Sequence, residues 1–146
     1  LLLATAKTNA ESDTTLSKGE TVYVSVYSNV FVGSVKEKFQ LSSILSVRNT
    51  DPKYPITIMK ADYYNTDGRI AKSYIFRPVK LDPLASKFYF VEPQDERGGE
   101  GANFLVKWTA AQHVNQPIIE AIMLNLYRQQ GLAIRCPGKI ITEHRD

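Results

Sequence analysis

Apolar residues in this chain recur mostly at every second position, in short runs cut by turn chemistry. In Thr21-Val22-Tyr23-Val24-Ser25-Val26-Tyr27 the valines alternate with Thr, Tyr and Ser. Period two with β-branched and aromatic residues predicts a strand. The run 39–47 sets Phe39, Leu41, Leu45 and Val47 on one face. It ends at Asn49-Thr50-Asp51-Pro52, where Pro52 has no N–H for a ladder. Ile56 to Tyr64 predicts a third strand, followed by Asn65-Thr66-Asp67-Gly68. Gly68 can take the positive φ of a bulged hairpin turn, so the third and fourth strands are expected to pair antiparallel. The fourth runs from Arg69 to about Phe76 and is limited by Pro78. Leu81-Asp82-Pro83-Leu84 makes a corner into a strand over Lys87–Val91, and a glycine-rich break spans Glu92–Gly101. Beyond it, Ala102, Phe104, Val106 and Trp108 form the core-facing set of a central strand.

The segment Pro117–Arg128 admits two readings. Asn115 as a cap, Pro117 in a first turn and Gly131 as a stop fit a helix, with Ile118, Ile119, Ile122, Met123 and Leu126 at helical spacing. The segment is also apolar at almost every position, as a strand buried on both faces would be. Amid so many strand-like segments the strand is favoured. Gly131 to Cys136 then returns as a hairpin arm stopped by Pro137-Gly138, with a short edge at Lys139–Thr142. The sum is an all-β chain, an antiparallel β-sandwich of about seven to eight strands. One domain is expected over 21–142, after a lead-in over 1–20 and before a charged tail at 143–146.

The start, Leu1-Leu2-Leu3-Ala4-Thr5-Ala6, reads as the end of a secretory signal with a cleavage point after Ala6, or else as a short apolar tail. Lys7 stands where a lipoprotein would carry cysteine. Thr8–Glu20 is polar without an apolar period and is expected to be a flexible lead-in. On the first reading the protein is periplasmic or secreted.

Composition narrows the function classes. The 146 residues are 43% hydrophobic and 23% charged, an ordinary globular balance for one domain. No apolar run approaches the roughly 20 residues of a membrane helix. A single cysteine supports neither an internal disulfide framework nor a paired-cysteine metal site. The net charge of +3 is too small to argue for nucleic acid. It is unevenly spread: Arg69, Lys72, Arg77, Lys80 and Lys87 gather around one acid, Asp82, and the following loop collects the acids.

Candidate chemistry is sparse. His113 and His144 have no companion in a nucleophile–base motif and read as surface histidines. Cys136 reads as a half-buried small hydrophobe, with a reactive or chain-joining thiol as the alternatives. Glu92, Asp95, Glu96 and Glu100 are hard oxygen ligands within nine residues and form the candidate cation loop. Arg97 in their midst favours a solvated loop instead. Gly98-Gly99-Glu100-Gly101 lacks the lysine and hydroxyl of a phosphate loop. The basic stretch, interleaved with Tyr64, Tyr74, Phe76, Phe88 and Tyr89, resembles a base-stacking surface in composition, but reads better as protection of an edge strand. Tyr63, Tyr64 and Tyr74 are the candidate contact aromatics. No cofactor and no nucleic acid is expected, and no enzyme activity. The first expectation is a module that binds another envelope component. The opposing one is a metal-binding protein or enzyme using loop 92–100 with His113.

Several blocks resemble one family. They are Val22–Ser28, Leu45–Asp51, Asp62–Gly68, Leu81–Ser86, Gly98–Phe104 and Gln116–Ala121, in that order, spanning about Thr21 to Ile141. They look like an uncharacterised bacterial family, domain of unknown function 3124. The wider layout of N-x-D turn, D-G hairpin and proline corner is similar to immunoglobulin-like sandwiches of bacterial envelope proteins. The resemblance implies export in bacteria and offers no activity to place on these residues.

Overall fold

The computed structural model describes residues 14–33, 37–127 and 130–145. The Leu1–Ala6 start, the polar stretch up to Asp13 and Arg128 lie outside the described residues. Among the described residues the chain forms twelve strands and no helix. They are β1 (Leu16–Ser25), β2 (Asn29–Val32), β3 (Glu37–Gln40), β4 (Ser42–Arg48), β5 (Ile56–Tyr64) and β6 (Ile70–Ser73). The rest are β7 (Val79–Leu81), β8 (Ser86–Val91), β9 (Asn103–Asn115), β10 (Ile118–Tyr127), β11 (Gln130–Pro137) and β12 (Lys139–Glu143). The surplus over the expected seven to eight comes from short pieces. The run 39–47 breaks at Leu41, whose amide donates to Ser28 O, so β3 leaves to pair with β2. The fourth expected strand shortens to β6, and β7 is a further short strand beyond Pro78 that was not expected.

Two antiparallel sheets face one another as a sandwich. The first has the order β12-β1-β9-β5-β6, with β7 also on β5, and the second the order β11-β10-β4-β8. Alternation supplies the core: Val22 and Val24 from β1 with Val26 just beyond its end, and Phe104, Val106 and Trp108 from β9, meet Leu45, Val47, Ala121 and Met123. Each such large side chain contributes roughly 1.5–3 kcal/mol by leaving water. Segment 118–127 is a strand, as favoured, but over 118–125 only one face is buried; Ile118 and Leu124 stand half exposed on the other.

The ends of the domain differ from expectation. β1 begins at Leu16, inside the expected lead-in, and Ser17 and Glu20 are buried. At the other end Glu143 completes β12, and His144 docks on β1: its amide donates to Gly19 O, and its ring nitrogen lies 3.0 Å from Thr21 Oγ1. β1 and β12 are held together because each completes the other's ladder.

The Asn49-Thr50-Asp51 turn is a clamp. Asn49 Nδ2 donates to the carbonyls of Tyr54 and Asp82. Asp51 accepts three backbone N–H groups, from Lys53, Tyr54 and Asn115. Burial pushes its carboxyl pKa up, but those donors outweigh it and hold the group below its ordinary value. The clamp joins the β4–β5 turn to the β7–β8 corner and to the end of β9. Among the described residues, no helix is long and apolar enough to cross a membrane.

Candidate functional site

A bulge in β5 decides the local arrangement. Ile56 and Ile58 face the core, and period two would continue inward through Lys60, Asp62 and Tyr64. The β5–β9 register shifts between Ile58 and Lys60, so Ala61 and Tyr63 are buried instead. One extra residue in a strand moves every later side chain to the opposite face. Tyr63, expected as a contact aromatic, is thereby fully buried (0% exposed) and is no surface residue. Its hydroxyl lies 2.8 Å from Ser28 Oγ. Tyr64 and Tyr74 are half buried.

The edge beside β5 is interrupted. β6 pairs with Asp62–Tyr64 and β7 with Ile56–Ile58, and after Tyr74, whose amide still donates to Ala61 O, the chain arches off the β5 ladder over Ile75–Pro78. Pro78 cannot donate to a ladder, which favours the break. Phe76 at the arch is 93% exposed. Across from it runs β8, the edge of the second sheet. The two enclose an open groove of about 560 Å³ lined by Tyr74, Phe76, Arg77, Val79, Lys87 and Tyr89, with Phe88 and Phe90 on its rim. Its floor is an aromatic series, with Phe104 5.4 Å from Tyr74 and Tyr74 5.9 Å from Tyr89 between ring centres. Burial, with the Asp95 carboxylate next in weight, pushes the Tyr74 pKa up to about 12, so the phenol stays neutral. Burial likewise raises Tyr89, whose enclosed hydroxyl has no hydrogen-bond partner.

Of the cations expected to guard an edge, Arg77 and Lys87 line this opening, and Arg48, outside that set, adds a further cation–ring contact beside them. Lys72 sits 4.3 Å over the Tyr74 ring, Lys87 6.0 Å over Tyr89, and Arg48 5.7 Å over Phe88. Contacts of this kind contribute about 0.5–1 kcal/mol at exposed sites. The groove can therefore take apolar groups and anionic ones. Phe76 and Phe88 were legible as aromatics interleaved with the basic stretch and Phe90 as a strand residue; their meeting across a gap was not.

The acidic loop is used internally. Asp95 receives Arg97 through two side-chain hydrogen bonds, at 2.7 and 2.6 Å, and that guanidinium holds its carboxyl below the ordinary value. Glu96 meets Gln40 and lies 3.9 Å from Lys38. Gly98 is required where it stands, because a Cβ there would come within 1.9 Å of the Tyr63 hydroxyl. Gly98 O and the Gly101 amide both bond Thr66 Oγ1, so the glycines pack the loop on the β5–β6 turn. Among the described residues no three His, Cys, Asp or Glu side chains converge on a common point. His113 is exposed near the far end of β9, roughly 30 Å of strand from this loop at about 3.3 Å per residue. Glu92, Asp95, Glu96 and Glu100 thus form no common site with His113. Cys136 packs half-buried against the core, and burial pushes its thiol pKa up, away from reactive thiolate character.

Sequence reading missed one buried acid. Glu20 sits directly opposite Trp108 across the β1–β9 ladder and is 2% exposed. It accepts from the indole N–H at 3.2 Å and from the Gln116 amide. A cavity of about 160 Å³ beside it is lined by Gln116, Glu120, Arg135 and Gly138, among others. Glu20 went unnoticed because the polar residues before it hide a strand whose partners are remote. Its hydrogen bonds make it an anchor of β1.

No curated protein matches the chain. A solved structure, that of Thermotoga maritima 1070, is similar over 82% of this chain and 92% of its own, with 9% identity and a TM-score of 0.49. The family model described as "Protein of unknown function (DUF3124)" matches residues 19–141. It begins within β1 and ends in β12, so it takes in both sheets, and the chain belongs to that family.

Proposed function

We propose that this protein is an exported, periplasmic or secreted sandwich of immunoglobulin-like layout, acting as a non-enzymatic binding or assembly module of the bacterial cell envelope. One observation carries the reading: an open groove beside a sheet edge, with Phe76, Phe88 and Phe90 exposed around it and cations over its rings. Exposed aromatics gathered on a rigid concave surface are the usual anchors of protein recognition. Export rests on what the family resemblance implies. The test is a photoreactive residue placed at Phe76, at Phe88 or, as a control, at His113, in the full-length protein in living cells. One discrete protein adduct is expected at the first two positions and none at the third, in the periplasmic or extracellular fraction. Equal labelling at all three, or none above background, would remove the binding-module reading.

A further inference from the structure

The free side of β8 has a defined polarity. β8 pairs with β4 alone among the described residues. Asn49 N donates to Ala85 O at 2.9 Å, one step beyond the Arg48–Ser86 pair of that ladder. Hydrogen-bonded and non-hydrogen-bonded pairs alternate in an antiparallel ladder. The amides and carbonyls of Lys87, Tyr89 and Val91 therefore face β4, and those of Ser86, Phe88 and Phe90 face outward. Natural proteins cover or guard such an edge. Here it borders the groove, where the buried Tyr89 hydroxyl is unpartnered.

We propose that the edge of β8 is a strand-addition site for an extended segment of another protein in which apolar and acidic residues alternate. This rests on the binding-module reading and names its site and partner chemistry. Main-chain bonds to Ser86, Phe88 and Phe90 supply the affinity, and side chains entering the groove supply the selection. The two sets leave opposite faces of the added strand: carboxylates enter the groove toward Lys87 and Arg77, and apolar side chains lie beside the exposed rings of Phe88 and Phe90 on the other face. Those two cations and Arg48 are in no ion pair among the described residues, whereas Lys80 already has Asp82 at 3.8 Å. A second copy of this chain fits poorly, because two β8 edges would bring like charges together.

The probe is a blocked synthetic peptide of alternating valine and glutamate, titrated to millimolar concentration into the full chain. Amide exchange is read by NMR. Exchange at Ser86, Phe88 and Phe90 is expected to slow, with no change along β11, the opposite edge. Methylating the peptide nitrogens that face β8 should weaken binding by at least about tenfold, since main-chain bonds are lost, while methylating the alternate set leaves it unchanged. Lysine for glutamate should weaken it similarly, and Lys87→Glu should restore binding of the lysine peptide. No protection of those amides, equal binding of both methylated peptides, or a dimer of the chain itself at this edge would each overturn strand addition. Equal binding alongside a specific adduct at Phe76 would leave the binding module standing; no adduct and no protection would remove both.

Discussion

On the β11–β12 side of the sandwich, β1 of the first sheet lies close against β10 and β11 of the second. The chain passes between the sheets through Pro137-Gly138, whose glycine amide donates to Ile119 O at 2.8 Å. At that crossing a cavity of about 160 Å³ remains, bordered by Glu20, Gln116 and an Arg135–Glu120 ion pair at 2.5 Å, and a separate opening of about 540 Å³ lies further along, between Leu124 and the Gly131–Ala133 start of β11. On the β8 side the sheets stand apart around about 560 Å³. The difference lies in side-chain size. A glycine at the crossing lets two backbones touch, whereas Tyr74, Tyr89 and Phe104 wedge the other side open. One sandwich thus has a close crossing at Gly138 that serves stability and, beside β8, an open edge that leaves apolar surface and main-chain groups for a partner.

The close crossing should break first. A Cβ at Gly138 would lie 2.5 Å from Ile119 O and 2.6 Å from Val22 Cγ1. Gly138→Val is therefore expected to cost about 3 kcal/mol in urea unfolding, because backbone has to move. Next comes Glu20→Ala, which strands the Trp108 indole N–H and the Gln116 amide in the interior. A loss of about 2 kcal/mol is expected, with Glu20→Gln recovering part of it. A loss below about 0.5 kcal/mol would show that this acid is no anchor, and would favour a ligand-directed role.

The third effect depends on pH. Asp51 has a folded pKa below its ordinary value of 3.8. A depressed carboxylate contributes stability that is complete above its unfolded pKa and is lost as pH falls through the folded value. Wild-type stability should thus decline as pH falls below about 4. Asp51→Asn should be less stable near neutrality and show a shallower acid limb in thermal unfolding. An acid limb identical to wild type would mean that the clamp holds without its charge. The smallest effect on stability is expected on the open side. Phe76→Ser should change unfolding by less than about 0.5 kcal/mol while abolishing the photoadduct at Phe88. A large stability loss there would make the open side part of the core and end the contrast.

Much of this was legible from residue order because it is local chemistry. Gly68 does take φ +77° in the β5–β6 turn, and Trp108 does sit inward on a central strand. The 118–127 segment is a strand whose returning arm is β11, as its neighbours implied. The family was legible as well, since its motifs are short and ordered.

What remained hidden depends on partners far away in sequence. Leu16–Glu20 looks like a polar lead-in, and only the β9 ladder makes it a strand with a buried acid. Tyr63 reads as a surface tyrosine until the bulge opposite β9 turns it inward. The acidic cluster already reads as a solvated loop rather than a cation loop because of Arg97, but that Lys38 stands beside Glu96 and that the loop packs on Thr66 depends on remote partners. The groove arises where an arch and an edge strand from different sheets come together. Periodicity, turn residues and composition are properties of neighbouring residues, so the sequence by itself determined the strands, most turns and the all-β class. Register, bulges and the facing of two sheets are set by pairing across the whole chain, and only the tertiary structure decided which aromatics point into the core and which stand beside an open edge.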